Sequence, residues 1–139
     1  MLVDDETISD DSVLYRRVPA QPKVYMVWNY NTMCWVISSQ AFKNHKENRL
    51  AFSVHLKEVV ERLGLSLDAV VQDRSKFALA SLTARQVREH RQVINRMPEP
   101  GDPAHAHVLG EKPGSVQRAL ATVAVWVLPP TNLPPQGPG

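Results

Sequence analysis

Apolar and polar positions along this chain switch several times between a period of two and a period near 3.6, and those switches mark its elements. Val13-Leu14-Tyr15-Arg16-Arg17-Val18 reads as a first strand, closed by Pro19 and Pro22. Lys23–Trp28 and Cys34–Ile37 read as two more, and the asparagines of Asn29-Tyr30-Asn31-Thr32-Met33 suit a turn between them. Ser38 or Ser39 is placed to cap a short helical turn through Gln40, Ala41 and Phe42.

Leu50, Phe52, Val54 and Leu56 alternate as a strand does, with Ser53 and His55 on the other face. From Leu56 the spacing becomes helical: Leu56, Val59, Val60 and Leu63 form one stripe, Lys57–Glu61 and Glu58–Arg62 are i,i+4 pairs, and Gly64 is a terminator. We read strand, then helix; one helix from Asn48 to Leu63 is the competing assignment. Ser66 can cap a turn through Leu67, Val70 and Val71. Phe77–Leu82 has the length and apolarity of a buried strand, and Thr83 with Gln86 forms a capping box opening a helix over Ala84–His90. Gln92–Met97 is the next strand, stopped by Pro98-Glu99-Pro100-Gly101-Asp102-Pro103. Ala104–Leu109 follows as a strand. Pro113 then stands at the entrance of a helix whose stripe is Val116, Leu120, Val123, Ala124 and Val127.

Strands and helices alternate only in part, and several strands are close enough for hairpins. The expected fold class is therefore α+β: a single domain, its sheet mixed or mainly antiparallel with helices on one face. At 139 residues the chain is one domain long. Residues 1–12 hold five of the 14 acids and none of the 16 bases, with few apolar positions, which predicts a flexible acidic N-terminal arm. Residues 129–139 hold five of the eleven prolines and predict a Pro-rich, extended, disordered C-terminal tail. The domain proper is then 13–128, with a moderately basic body that attracts acidic partners or only solvates its helix faces. Cys34 is the single cysteine, so no disulfide or cysteine metal cluster forms within the chain. No targeting or membrane-spanning run is visible, and a cytoplasmic protein is expected.

The chemistry-bearing residues are few. His105 and His107 fall on one face of their strand, with Cα atoms about 7 Å apart. Three readings stay open: a polar face turned to solvent, a metal-free acid–base pair, or a metal site needing His55, Asp102 or Glu111 as further donor. Gly110-Glu111-Lys112-Pro113-Gly114-Ser115 fails the phosphate-loop pattern, because its lysine precedes the second glycine. Lys112 and Ser115 nevertheless stand where a helix start binds anions. Arg16 and Arg17 point to opposite faces, so the one nearer the interior needs a carboxylate or an anionic ligand. Ser38, Ser39 and Ser53 lack the Gly-x-Ser-x-Gly setting of a hydrolase elbow. Cys34 reads as a buried strand residue, and Trp28, Tyr30 and Trp35 read as core rather than as a base-stacking surface.

The segments Leu14–Pro19, Ser38–Phe42 and Asp102–Gly114 resemble short uncharacterised bacterial proteins, to which no activity attaches. In outline, a Tyr15-Arg16 strand followed by a serine-bearing strand is similar to ADP-ribosyltransferase-type folds, though the late glutamate motif those folds use is absent. Two functions are expected from the residues. The first is a small non-catalytic accessory or interaction module with a protein partner, engaged through its tails and basic body. The second is a metal-independent protein that binds or processes a phosphoester, nucleotide or nucleic acid without a cofactor. There His105, His107 and His55 would be catalytic, with Arg16, Arg17, Lys112 and Ser115 on the anion.

Overall fold

The computed structural model describes residues 2–46, 50–131, 133, 134, 137 and 138. In chain order the strands are β1 (Val13–Pro19), β2 (Met26–Asn29), β3 (Cys34–Ile37), β4 (Ala51–Leu56), β5 (Phe77–Thr83), β6 (Val93–Arg96), β7 (His105–Leu109) and β8 (Val125–Leu128). The helices are α1 (Lys57–Arg62), α2 (Leu67–Val71), α3 (Ala84–Arg88) and α4 (Gly114–Val123), with a 3-10 turn at Ser39–Phe42. Six strands form one antiparallel sheet in the order β6-β7-β4-β1-β5-β8, while β2 and β3 make a separate hairpin. The domain is α+β, as the alternation predicts.

Residues that face each other across an antiparallel pair share a side of the sheet. The pairings Tyr15↔His55, His55↔His105 and Ser53↔His107 therefore collect Tyr15, Arg17, Ser53, His55, His105 and His107 on one face. The opposite face carries Leu14, Val18, Phe52, Val54, Leu56, Ile94, Ala106 and Val108, all buried. The 3-10 turn lies over this apolar face, tied down by Arg16 Nε donating to Ala41 O at 2.9 Å, and α4 packs on the turn.

Local signals explain most element boundaries. The Ser38 hydroxyl accepts from Gln40 N, Ser66 from Ala69 N, and Thr83 and Gln86 complete the capping box in both directions. Strand β4 does run straight into α1; Asn48, where the competing single helix would start, lies outside the described residues. Gly110 has φ +144°, and a Cβ there would meet the Gln92 carboxamide at 2.7 Å. That carboxamide is committed to His90 O and Glu111 O, so the glycine permits a close approach as well as a turn.

Three expectations change. The stripe running to Val127 is cut at Val123: Ala124 is extended, and Val125–Leu128 leaves the helix to pair with β5. The β-branched and aromatic run Val125-Trp126-Val127 favours a sheet edge over two more helical turns. Glu58 does not pair with Arg62 but reaches Arg96 Nη2 at 3.0 Å, whereas Lys57–Glu61 forms at 3.7 Å. Cys34 is exposed, and so is Tyr30 at 73%, because the two-stranded hairpin buries only one side.

Described residues near both ends contact the domain. Asp5 N donates to Ile94 O, Ile94 N to Asp4 Oδ1, and Asn95 Nδ2 to Val3 O. The acidic stretch thus runs along the outer edge of β6, where a sheet would otherwise present unpaired backbone groups. Arg88 holds Asp4 and Asp10 at 3.0 and 2.9 Å, and Ile8 is 1% exposed. Composition misleads here because the charge partners come from far along the chain. An Ile8→Ala variant is expected to lose about 2–5 kcal/mol of unfolding free energy in urea titrations; a loss below about 0.5 kcal/mol, the scale of a neutral surface change, would mean the segment is not docked. At the other end, Trp35 Nε1 donates to Pro134 O at 2.9 Å, and Arg74 Nη2 to Pro129 O at 2.9 Å. Gly137 lies so close to Trp28 that a Cβ would sit 2.8 Å from its ring. Residues 132, 135, 136 and 139 of the predicted tail lie outside the described residues.

Candidate functional site

The polar face is built from the centre of the sheet outwards. Strand β4 turns its apolar side chains toward the 3-10 turn, which forces Ser53 and His55 onto the other side. Strand β7 does the same with His105 and His107, set against β4 in register. The rings of His105 and His107 lie 5.0 Å apart, and those of His55 and His105 6.0 Å apart. The three histidines picked out by sequence are therefore together, with Arg17 on the same side of β1.

Each histidine has a distinct setting. His55 Nε2 lies 3.0 Å from Asp102 Oδ2, and the ring is almost fully enclosed. Since a carboxylate only accepts, Nε2 carries the proton, and Nδ1 is a buried lone pair that no donor among the described residues meets. Burial pushes the His55 pKa down; the hydrogen bond and charge of Asp102 oppose that, while Arg17 and His105 add to it. His107 is also lowered, by burial first and then by His105 and His45. Both shifts favour the neutral imidazole.

His105 is locked at both nitrogens. Nδ1 is 2.9 Å from Met97 O, a group that can only accept, so Nδ1 bears the hydrogen and Nε2 is the lone pair. Ser53 Oγ, 2.9 Å from that Nε2, is then the donor. His45 Nε2 approaches the same Oγ at 3.2 Å and donates to it. The Glu99 carboxylate lies 3.5 Å from His105 Nδ1. A groove of about 340 Å³ opens beside this assembly, lined by Arg17, His45, Ser53, His55, Tyr25 and Phe77 with the edges of Arg16 and Pro19. The Arg17 guanidinium lies 5.8 Å over Phe77. His105 reaches the groove through Ser53.

Of the other residues singled out by sequence, Arg16 borders the groove from the opposite face of the sheet, and Lys112 and Ser115 do not line it. Arg16 is on the apolar face, donating to Ala41 O and Ser53 O and lying 5.0 Å over the Phe52 ring. Backbone carbonyls and an aromatic face surround this interior arginine. Burial and the neighbouring charge of Arg17 bring its pKa down to about 10, which leaves it charged at pH 7. Lys112 is buried, its ammonium saturated by the carbonyls of Leu50, Val108 and Gly110 at 3.0–3.1 Å, so it offers an anion nothing. Ser115 is exposed at the start of α4, apart from the groove. Among the described residues, no three His, Cys, Asp or Glu side chains are grouped so as to hold a metal ion. None of their helices is long and apolar enough to cross a membrane.

Ser53 and His45 were the residues that sequence reasoning passed over. The signal for Ser53 was present, because the β4 alternation already sets it beside His55. Its lack of an elbow motif hid it. No known family model, curated protein or solved structure matches this chain.

Proposed function

We propose that the protein binds and processes a phosphoester or nucleotide anion, without a metal, on the polar face of its sheet. The observation that carries this reading is the convergence of Arg17, Ser53 and His55 on one groove, with His105 hydrogen-bonded behind Ser53. A guanidinium is suited to the several oxygens of a phosphoryl group, and neutral imidazoles supply proton acceptors near pH 7. Phe77 and Tyr25 add aromatic surface beside the charge, which fits an anion carrying a base or another flat group. The other expectation, a non-catalytic interaction module engaged through its tails and basic body, is not the reading taken, because it names no residues that converge on one site.

Calorimetric titration of the full chain with inorganic phosphate and a nucleoside monophosphate tests the binding step. Arg17→Gln is expected to weaken affinity by about tenfold or more, the scale of a lost charged hydrogen bond, while Ser115→Ala leaves it within about twofold. In parallel, hydrolysis of bis-p-nitrophenyl phosphate is expected to fall about 10²–10⁴-fold in His105→Ala. Absence of phosphate binding at millimolar concentration, or affinity unchanged in Arg17→Gln, would overturn the reading.

A further inference from the structure

We infer that Ser53 is a nucleophile that forms a covalent phosphoseryl intermediate, with His105 as its base; the substrate class rests on the function proposed above. The proton assignment on His105 follows from Met97 O, which compels Nδ1–H and so directs the Nε2 lone pair at the Ser53 hydroxyl. This is the relation a serine needs for attack, with nucleophile on base and base oriented by a third group. The third group is a backbone carbonyl, reinforced by Glu99 at 3.5 Å. His45 donates to the same oxygen, so Oγ already sits between an incoming and an outgoing hydrogen bond.

The position also selects the chemistry. Ser53 lies inside a central strand, paired to β7 on one side, and its carbonyl takes a hydrogen bond from Arg16. Its own backbone therefore offers no strand-to-helix turn of the kind that builds an oxyanion hole for acyl transfer. The positive group beside it is the Arg17 side chain, which matches the equatorial oxygens of a phosphoryl group. In the step, Ser53 Oγ bonds to phosphorus and the phosphorus–oxygen bond to the leaving alcohol breaks. His105 takes the Ser53 proton and delivers it to the departing alcohol oxygen. Water then attacks the phosphoserine, giving its proton to His105, which returns it to Oγ as the Oγ–phosphorus bond breaks and phosphate leaves.

The test is labelling of the full-length chain by an alkyl fluorophosphonate, in which an Oγ–phosphorus bond forms, fluoride leaves and the serine proton passes to His105. Intact mass and peptide mapping should show one adduct, on Ser53, absent in Ser53→Ala. Its rate should fall at least about 100-fold in His105→Gln, the scale of a lost general base. Circular dichroism checks that both variants fold. Should a variant not fold, competition decides: inorganic phosphate must slow labelling of the unaltered chain. An unmodified Ser53, an adduct on another serine, or a rate unchanged in folded His105→Gln would overturn the inference. Phosphate binding in the calorimeter with Ser53 unlabelled removes the nucleophile and leaves the binding reading. A labelled Ser53 in a chain that binds no phosphate does the reverse.

Discussion

A Phe52→Ala variant is expected to lose about 3–5 kcal/mol of stability, the range for emptying a fully buried aromatic site. Phe52 is 0% exposed and meets Phe42 edge-on at 5.7 Å between ring centroids. Two cations also use its ring, with Arg16 Cζ and Lys112 Nζ each 5.0 Å from the centroid. Buried charges are tolerated only where other groups replace the water they have lost, and the ring supplies part of that replacement. Truncation therefore leaves a cavity and weakens the surroundings of two charges at once. Against a typical domain stability of about 5–15 kcal/mol, much of the population could unfold. Phe52→Leu separates the two effects, because it keeps most of the volume and removes the π face. Its expected loss is about 1–3 kcal/mol, from a packing change together with the weakened cation–π contacts. Urea unfolding of the three chains measures both numbers, and a Phe52→Ala loss below about 1 kcal/mol would show that the ring is not the keystone of this face.

The second large effect is a pH dependence centred on Lys112. Burial, and then the charge of Arg16, bring its pKa from 10.5 down to about 7 in the folded chain. Between those values the unfolded chain holds a proton that the folded chain has released. Unfolding free energy attributable to this group therefore rises with pH from about 7 to about 10.5, and at pH 6 the charged lysine opposes folding. At about 1.36 kcal/mol per pH unit the ceiling is about 5 kcal/mol. The three carbonyl oxygens around the ammonium favour the protonated form, so the measured rise falls below that ceiling. Lys112→Met abolishes the titration. The stability of the unaltered chain relative to Lys112→Met is expected to increase steadily from pH 6 to pH 10, and a difference independent of pH would show that Lys112 keeps its ordinary proton affinity.

How much of this was readable beforehand depends on how far apart the interacting residues are. Signals that act within a few residues were legible: the Ser38, Ser66 and Thr83 caps, the change of period at Leu56, and the shared face of His105 and His107. The end of α4 was not, because the pairing of Val125 and Trp126 with β5 competes with a helical stripe that looks equally good locally. The acidic start read as an arm since nothing near it names Arg88 or Arg96 as its partners. Lys112 stands in a turn that resembles an anion loop, and only the β4–β7 pairing, which brings Leu50 O to it, shows the ammonium as an internal strut. For the candidate site, sequence supplied three histidines and Arg17. The sheet register supplied Ser53, and the reversal of chain at Met97–Glu99 supplied the proton assignment on His105.

The strap formed by Asp4 and Asp5 has a consequence for the order in which the molecule can be completed. Asp4 bonds to Ile94, 90 positions later, so during synthesis the first residues emerge long before the strand they are to cover. Contacts this distant in sequence form late, since a large loop must close first. Until then β6 can assemble on β7 with its outer side bare, a surface open to strand pairing with a neighbouring chain. Residues made first are thus placed among the last, and they close the sheet against its own copies.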